Sequence, residues 1–157
     1  MTSKEGYPKE IMTDEKISES SEETEKVITV VKNEYEEKAV MAAINYMNEF
    51  NERNVQACDD NLHFPHVVVM MDGNSLSLKK PPFHSGKFFE MLSKTFGWHH
   101  TCWDYRRVLH SGKKKVHLDL QFTRYKHDGT KIATSPAIWI MTDQDGHWGI
   151  QIRSIYI

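Results

Sequence analysis

The sequence has few of the residues that mark several large classes of protein. Only two cysteines, Cys58 and Cys102, occur in 157 residues, whereas small secreted domains held by disulfides carry more of them in shorter chains. We therefore expect two free thiols in a reducing compartment. No apolar run approaches the roughly 18 residues that span a bilayer, and the first residues hold no apolar signal segment. These absences favour a cytoplasmic protein without a membrane partner.

Neither charge nor glycine points to nucleic acid or to a nucleotide. The formal net charge is -2, so no basic field attracts a polyanion. A short lysine run at residues 113–115 has no aromatic stacking platform beside it. None of the eight glycines falls in the spacing of a phosphate-binding loop. We expect no nucleic-acid partner, no cofactor and no metal.

The residues that are present describe one ordinary domain with an unusual beginning. Hydrophobic residues make up 39% of the chain and charged residues 27%, which is a globular balance. Residues 1–33 hold five lysines against eight acidic residues, including the run SESSEETE. Such a segment buries too little apolar surface to fold by itself. We predict a disordered acidic tail over 1–33, apart from an apolar patch at 27–31 that could dock as a helix start or short strand, and a folded domain over 34–157.

Apolar spacing predicts three helices in the first part of the domain. One long helix is predicted over 34–51, because apolar residues recur at intervals of three and four; they are Val40, Ala43, Ile44, Met47 and Phe50. A short helix follows at 55–60. Ser85 is placed to cap a third helix, with Phe88, Leu92 and Phe96 on one face, and Gly97 is placed to end it.

Strands and turns account for the rest of the chain. A β-rich run covers 61–71, and four long strands are predicted at 98–110, 114–126, 131–142 and 147–157. Polar and apolar residues alternate in the second of these four. Helices followed by an antiparallel meander indicate an α+β domain with helices on one face of the sheet. Strands of this length must twist and bend, and a sheet curved around a helix leaves a conical cavity.

This order of elements, together with two local motifs, resembles the nuclear transport factor 2-like superfamily, also called SnoaL-like. The motifs are His63-Phe64-Pro65-His66, which leads into the first strand, and the ending Gly146-His147-Trp148-Gly149-Ile150. The resemblance implies a cystatin-like fold, in which a cone-shaped curved antiparallel sheet wraps around a long N-terminal helix. It also implies a homodimer formed through the outer sheet face and a hydrophobic small molecule as a second partner. Fold alone does not select a reaction, because members range from isomerases and dehydratases to proteins without catalysis.

Individual positions match the branches of this superfamily only in part. The ketosteroid isomerase branch has a catalytic aspartate just before a proline, whereas Phe64 precedes Pro65 here, so that base is missing. The dehydratase branch has a pocket histidine pair supported by aspartate and tyrosine. Similar residue types are present near the matching elements; they are His63, His66, Asp60 and Tyr46.

Four residues are therefore the candidate catalytic groups. A neutral imidazole of His63 or His66 could move a proton near neutral pH, while Tyr46 or Arg153 could stabilise an oxygen. The alternatives are that both histidines satisfy backbone groups around Pro65 and that Arg153, placed opposite Ile150, forms a surface ion pair. The predicted ligand pocket comprises Tyr46, His63, His66, Trp103, Trp139 and Arg153, although such aromatic residues also form cores and interfaces.

Three functions remain open on this basis. The first is a homodimer that binds a small molecule in an aromatic cone pocket. The second is a lyase or isomerase that acts on a hydrophobic carbonyl compound through His63 or His66. The third is a protein-interaction module with the acidic tail as its regulated element.

Overall fold

The computed structural model describes residues 11–13 and 27–157. Its elements in chain order are β1 (Ile11–Thr13), β2 (Thr29–Val31), α1 (Glu34–Asn51), α2 (Val55–Asp60), β3 (Leu62–Val69), β4 (Ser75–Leu78), α3 (Gly86–Phe96), β5 (Trp98–Ser111), β6 (Lys115–Lys126), β7 (Lys131–Gln144) and β8 (His147–Ile155). All three helices predicted from the sequence are present, and the strands differ from prediction by a few residues at their ends. The short strands β1 and β4 were not predicted, and β1 lies in the stretch predicted to be disordered.

Helix α1 begins and packs as the pattern of its residues requires. The side chain of Asn33 caps it by accepting a hydrogen bond from the Glu36 amide at 2.9 Å, and acidic residues occupy the first turn, where they favour the helix dipole. All five residues of the predicted apolar stripe are buried. They face β5 to β8 across the core, so the long helix is the axis around which the sheet curves.

Helix α3 has the predicted ends but a different buried face. Ser85 caps it, and Gly97 ends it in the left-handed conformation with φ of 72°. The buried residues are Phe89 and Leu92, whereas Phe96 is 49% exposed. The predicted stripe was therefore wrong at Phe96. The reason is that α3 packs on the end of α1, where the rings of Phe50 and Phe89 lie 5.0 Å apart.

One curved, unclosed sheet contains six strands in the order β4-β3-β8-β7-β6-β5. Neighbouring strands are antiparallel except for β3 and β8, which run parallel. The inner face contributes the largest buried side chains, among them Leu118, Leu120, Trp139 and Met141. The predicted α+β cone is confirmed, and its core lies between α1 and the inner faces of the long strands.

A bulge in β8 decides which way its side chains face. Met141 pairs with Ile150 but Ile140 pairs with Ile152, so Gln151 is the extra residue. Ile150 and Arg153 consequently share the inner face, although three residues along a regular strand would reverse the direction. Arg153 is only 9% exposed. Its predicted position opposite Ile150 was wrong, and so was the alternative of a surface ion pair.

The ordered domain starts before the predicted boundary at residue 33. Val31 in β2 is completely buried in the core, and the hydroxyl of Thr29 accepts a hydrogen bond from Arg106 Nε at 2.9 Å. Because β2 belongs to the core, the domain extends back to at least residue 27. Strand β1 pairs in parallel with β2. Residues 1–10 and 14–26, which make up most of the predicted tail, lie outside the described residues.

Both cysteines are free, with Cys58 buried and Cys102 exposed. Within the described residues, no helix combines the length and the apolar character that crossing a membrane requires.

Candidate functional site

A chain of buried polar side chains runs through the interior of the cone. It begins at Asp59, on α2, whose Oδ1 accepts a hydrogen bond from His84 Nδ1 at 2.7 Å. The other ring nitrogen, His84 Nε2, lies 2.7 Å from the hydroxyl of Tyr46 on α1. Arg153 on β8 then donates from Nη1 to the same hydroxyl at 2.8 Å. Residues from two helices, a loop and a strand are thereby connected.

The chain continues from Arg153 to β3. Arg153 Nε donates to His66 Nε2 at 3.1 Å, and His66 Nδ1 lies 2.9 Å from the carbonyl oxygen of Ile150. A carbonyl can only accept, so Nδ1 carries the proton and Nε2 is the acceptor. Both nitrogens of His66 are occupied by this arrangement. The imidazole therefore joins β3 to β8 and has no free nitrogen for a substrate.

Both imidazoles in the chain are held neutral. Burial, reinforced by the positive charge of Arg153, lowers the pKa of His66 to about 3 and that of His84 to about 4. Burial also raises the pKa of Tyr46 to about 12. With Nδ1 of His84 donating to Asp59, Nε2 must accept from the Tyr46 hydroxyl. Every hydrogen bond in the chain thus has one defined direction at neutral pH.

The carboxylate of Asp59 also fixes the loop before α3. It accepts hydrogen bonds from the amides of Phe83 and His84, both at 3.0 Å. These bonds hold His84 in place, because its ring and its backbone are anchored to the same group. Asp59 is 7% exposed and His84 is 3% exposed.

Beside this chain lies a cavity of about 20 Å³, which is room for one water molecule. Its lining residues are Tyr46, Met47, Phe50, Thr101, Phe122, Arg124, Trp139 and Arg153. Two of its donors, Trp139 Nε1 and Arg124 Nε, are buried without a hydrogen-bond partner. Trp139 is 1% exposed. Unsatisfied buried donors are rare in folded proteins and call for an explanation.

A second, larger hollow adjoins the first at Arg124. It has a volume of about 160 Å³ and is lined by Leu92, Phe96, Trp98, Arg124, Ile132, Ala133 and Ile157. Arg124 is the one residue common to both linings. Its side chain therefore borders both the small cavity and the apolar hollow. Burial lowers the pKa of this guanidinium from its ordinary value.

The structure brings together most of the residues predicted for the pocket. Tyr46, Trp139 and Arg153 line the small cavity, and His66 is bonded to Arg153 behind it. The Trp103 ring contacts that of Trp139 at 5.5 Å but is not part of the lining.

His63 lies apart from this group. Its Nδ1 is 2.7 Å from the hydroxyl of Thr142, and its ring is 5.4 Å from that of His147. His66, by contrast, bonds Ile150 and Arg153. The predicted pairing of His63 with His66 in one pocket is therefore wrong.

Three residues of the site were missed by the sequence analysis. Asp60 was named as the supporting carboxylate, but it is exposed and bonded to Gln56, and the buried carboxylate is its neighbour Asp59. His84 follows a proline-rich loop, where no periodic pattern indicates burial. Arg124 could have been found, because the inward alternation of β6 that ends at Phe122 continues to this position.

The charged groups of the cavity differ from those on the surface. Arg107 pairs with Asp119 at 3.1 Å on the outer face. Across residues 27–157, no ion pair involves Arg124 or Arg153. In the same part of the chain, no three His, Cys, Asp or Glu side chains are arranged to hold a metal ion.

A wider opening, of about 850 Å³, lies elsewhere on the described surface, between β2, the start of α1 and β5. Its lining includes Val30, Glu36 and Arg107, and it shares no residue with the polar chain. It borders the stretch before β2 that lies outside the described residues, so the interior cavity is the better candidate site.

Comparison with known proteins identifies the fold. No family model and no curated protein matches the sequence. A protein of unknown function with a cystatin-like fold from Nostoc punctiforme superposes with a TM-score of 0.60 at 11% identity, over 76% of this chain and 87% of that one. The chain has the nuclear transport factor 2-like, or cystatin-like, fold.

Two further structures share this fold. A nuclear transport factor 2-like protein of unknown function from Shewanella oneidensis gives a TM-score of 0.59 at 7% identity, over 79% of this chain and 100% of that one. A ketosteroid isomerase-like protein from Erwinia carotovora gives a TM-score of 0.54 at 13% identity, over 76% of this chain and 92% of that one. At such identities the likeness concerns the fold, and function must be argued from the site.

Proposed function

We propose that the chain binds a small molecule inside the cone. The observation that carries this proposal is a pair of buried donors without a hydrogen-bond partner, Trp139 Nε1 and Arg124 Nε, which belong to two residues that line one cavity. Each such donor costs free energy in the unliganded protein, about 1–3 kcal/mol. A ligand that supplies an acceptor recovers that cost on binding.

The polar chain serves this role by keeping the walls rigid. Tyr46 and Arg153 both line the cavity, and each is fixed by hydrogen bonds on its far side. A site whose groups are already oriented loses less entropy when a ligand arrives. The apolar hollow next to Arg124 is the route by which a ligand reaches the cavity.

Ligand-observed NMR with a fragment library tests this proposal. We expect hits that bind the natural sequence and lose binding when Ala133→Phe fills the hollow. Lys131→Phe, an exposed substitution on the same strand, is the matched control and should keep them. Hits that bind equally to Ala133→Phe would place the ligand outside the cone and contradict the proposal.

A homodimer through the outer sheet face is part of the same proposal. Ile140 and Ile152 are cross-strand neighbours on that face and only half-buried in the single chain. On the neighbouring strand β6, His117 pairs with Ile140. The two isoleucines therefore form an apolar patch with a polar residue beside it. Such a face suits an isologous contact with a second copy. We expect a dimer in sedimentation and a monomer for Ile140→Glu; a monomeric natural sequence at high concentration would refute it.

Catalysis on a carbonyl compound is the second candidate function. His66 is fully bonded and His63 lies apart, so the reacting group would be Tyr46, with His84 and Asp59 behind it. A carbonyl oxygen in the cavity would meet the guanidinium of Arg153, which suits stabilisation of an enolate. Tyr46 would pass its hydroxyl proton to His84 Nε2 and take the proton from the carbon next to the carbonyl. Deuterium exchange next to the carbonyl of acetophenone tests this. Exchange should occur with the natural sequence and be lost in Tyr46→Phe; no exchange, or equal exchange in both, would reject it.

The third alternative, a protein-interaction module regulated by the acidic tail, stays a prediction, because most of the tail lies outside the described residues. Removing residues 1–26 should change the set of proteins recovered in a pull-down. An unchanged set would exclude a role for the tail in partner binding.

A further inference from the structure

The small cavity carries an excess of positive charge. Two arginines, the half-buried Arg124 and the 9% exposed Arg153, line it, and no acidic residue does. In the part of the chain that the structure describes, neither arginine takes part in an ion pair. Buried charges in proteins are normally paired, because removing them from water is costly. The missing partner of this cavity is therefore an anion.

The unpartnered atoms at the cavity are donors only. Trp139 Nε1 has no acceptor capacity, and neither has the guanidinium of Arg124. A ligand group that itself donates hydrogen, such as an amide nitrogen, would satisfy neither of these two atoms. A carboxylate offers two oxygens that accept from a guanidinium in parallel, which is the strongest arrangement available to arginine.

The adjoining hollow sets the size and character of the rest of the ligand. Its volume is about 160 Å³, and apolar cavities of about 150 Å³ bind benzene. Apart from Arg124, its lining residues are all apolar. Phe96, at its edge, is 49% exposed, which leaves an apolar rim facing water.

From these observations we infer that the ligand is a carboxylate attached to one aromatic ring or a short aliphatic chain. The inference rests on the proposed function and adds the chemical class of the ligand. The carboxylate binds Arg124, with Trp139 Nε1 as a further donor, and the apolar part fills the hollow between α3 and β7. Because the cavity holds only about 20 Å³, the head group enters as the side chain of Arg124, which borders both spaces, moves aside and stays bonded to the carboxylate.

Two simpler occupants compete with this assignment. One water molecule fits the cavity and could bridge the two donors, but it would leave the positive charge uncompensated. A chloride or phosphate ion would compensate the charge but leave the apolar hollow empty. The experiment must therefore separate an organic carboxylate from both.

The test compares phenylacetate with phenylacetamide, which has the same ring and shape but no charge. Binding is followed at pH 7 through the four tryptophan indole signals in a ¹H–¹⁵N spectrum, with Trp139→Phe assigning the signal of interest. We expect phenylacetate to shift that signal and to bind at least about tenfold more tightly than the amide, since hydrogen bonds to a charged group are worth about 1.5–3 kcal/mol. Arg124→Met should abolish the difference, and the exposed Arg107→Met should preserve it.

The outcomes distinguish the class of ligand from the proposed function. Equal or tighter binding of the amide would refute the carboxylate and leave small-molecule binding in the cone intact. A shift with chloride or phosphate equal to that with phenylacetate would show an inorganic anion site and overturn the organic part. If neither the acid nor the amide binds and the fragment library also gives no hit in the cone, both proposals fail.

Discussion

The two buried imidazoles make the stability of the domain depend on pH. His66 and His84 have folded-state pKa values of about 3 and about 4, against an ordinary value of 6.5. Between pH 6.5 and 4 the unfolded chain therefore binds protons that the folded chain does not. Wherever the unfolded state binds more protons, stability falls as the pH falls. The contribution of the two neutral imidazoles to stability is therefore fully present above pH 6.5 and is lost as the pH falls through this window.

The magnitude follows from the size of the window. For each imidazole, the free energy of unfolding falls by about 1.4 kcal/mol per unit decrease in pH once that group is mostly protonated in the unfolded chain. At about pH 5 this amounts to about 2 kcal/mol for each imidazole and about 4 kcal/mol for the pair. A native domain is stable by about 5–15 kcal/mol in total, so the effect is a large fraction of the whole.

Urea unfolding followed by tryptophan fluorescence at a series of pH values between about 7.5 and 5 measures the loss. His84→Asn should remove the contribution of one imidazole, so that the free energy of unfolding changes less steeply with pH. Val68→Ala, which shortens a side chain that is 2% exposed, is the control for destabilisation, because it should lower stability equally at every pH.

A free energy of unfolding that is flat between pH 7 and pH 5 would refute this reasoning. A second measurement does not require any variant. In the natural sequence, the ring proton signals of His66 and His84 should remain in their neutral positions above pH 5. Titration of either signal near pH 6.5 would show that burial and Arg153 do not hold the ring neutral.

Three further substitutions probe the site and its surroundings. Arg153→Met leaves two buried acceptors unpaired and should cost about 2–4 kcal/mol by urea unfolding; a loss below about 0.5 kcal/mol would contradict the network. Asp59→Asn removes the carboxylate that accepts three hydrogen bonds and should cost a similar amount, about 2–4 kcal/mol, with faster amide exchange in the loop before α3 as its specific sign. Gly149→Ala would place a Cβ 2.9 Å from the imidazole of His63 and should lower thermal stability by roughly 1–3 kcal/mol. Gly86→Ala, where a Cβ meets nothing within 4 Å, should have little effect.

Much of the fold could be predicted because its signals are local. The stripe on α1, the cap at Ser85 and the stop at Gly97 each depend on residues close in the chain, and each was confirmed. The parallel pairing of β3 with β8 could not be predicted, since it joins the two ends of the domain. Nothing in either strand alone selects the other as its neighbour.

The site was only partly predictable for a related reason. Tyr46, Trp139 and Arg153 were named from residue type and element, and all three line the cavity. His84 was missed because it lies in an irregular loop, and its burial depends on the carboxylate of Asp59, 25 residues away. The direction of Arg153 was wrong because a single inserted residue in β8 reverses the alternation.

By itself, then, the amino-acid order determined an α+β domain with few cysteines, no phosphate loop and a long helix before a meander, since these follow from composition and local periodicity. The tertiary structure alone decided which polar residues meet. Bulges and loop anchoring set the facing of each side chain, and contacts across the sheet placed Arg124, Arg153 and Trp139 around one cavity. Burial then lowered the pKa values of two histidines and left two donors without a partner, which no local pattern records.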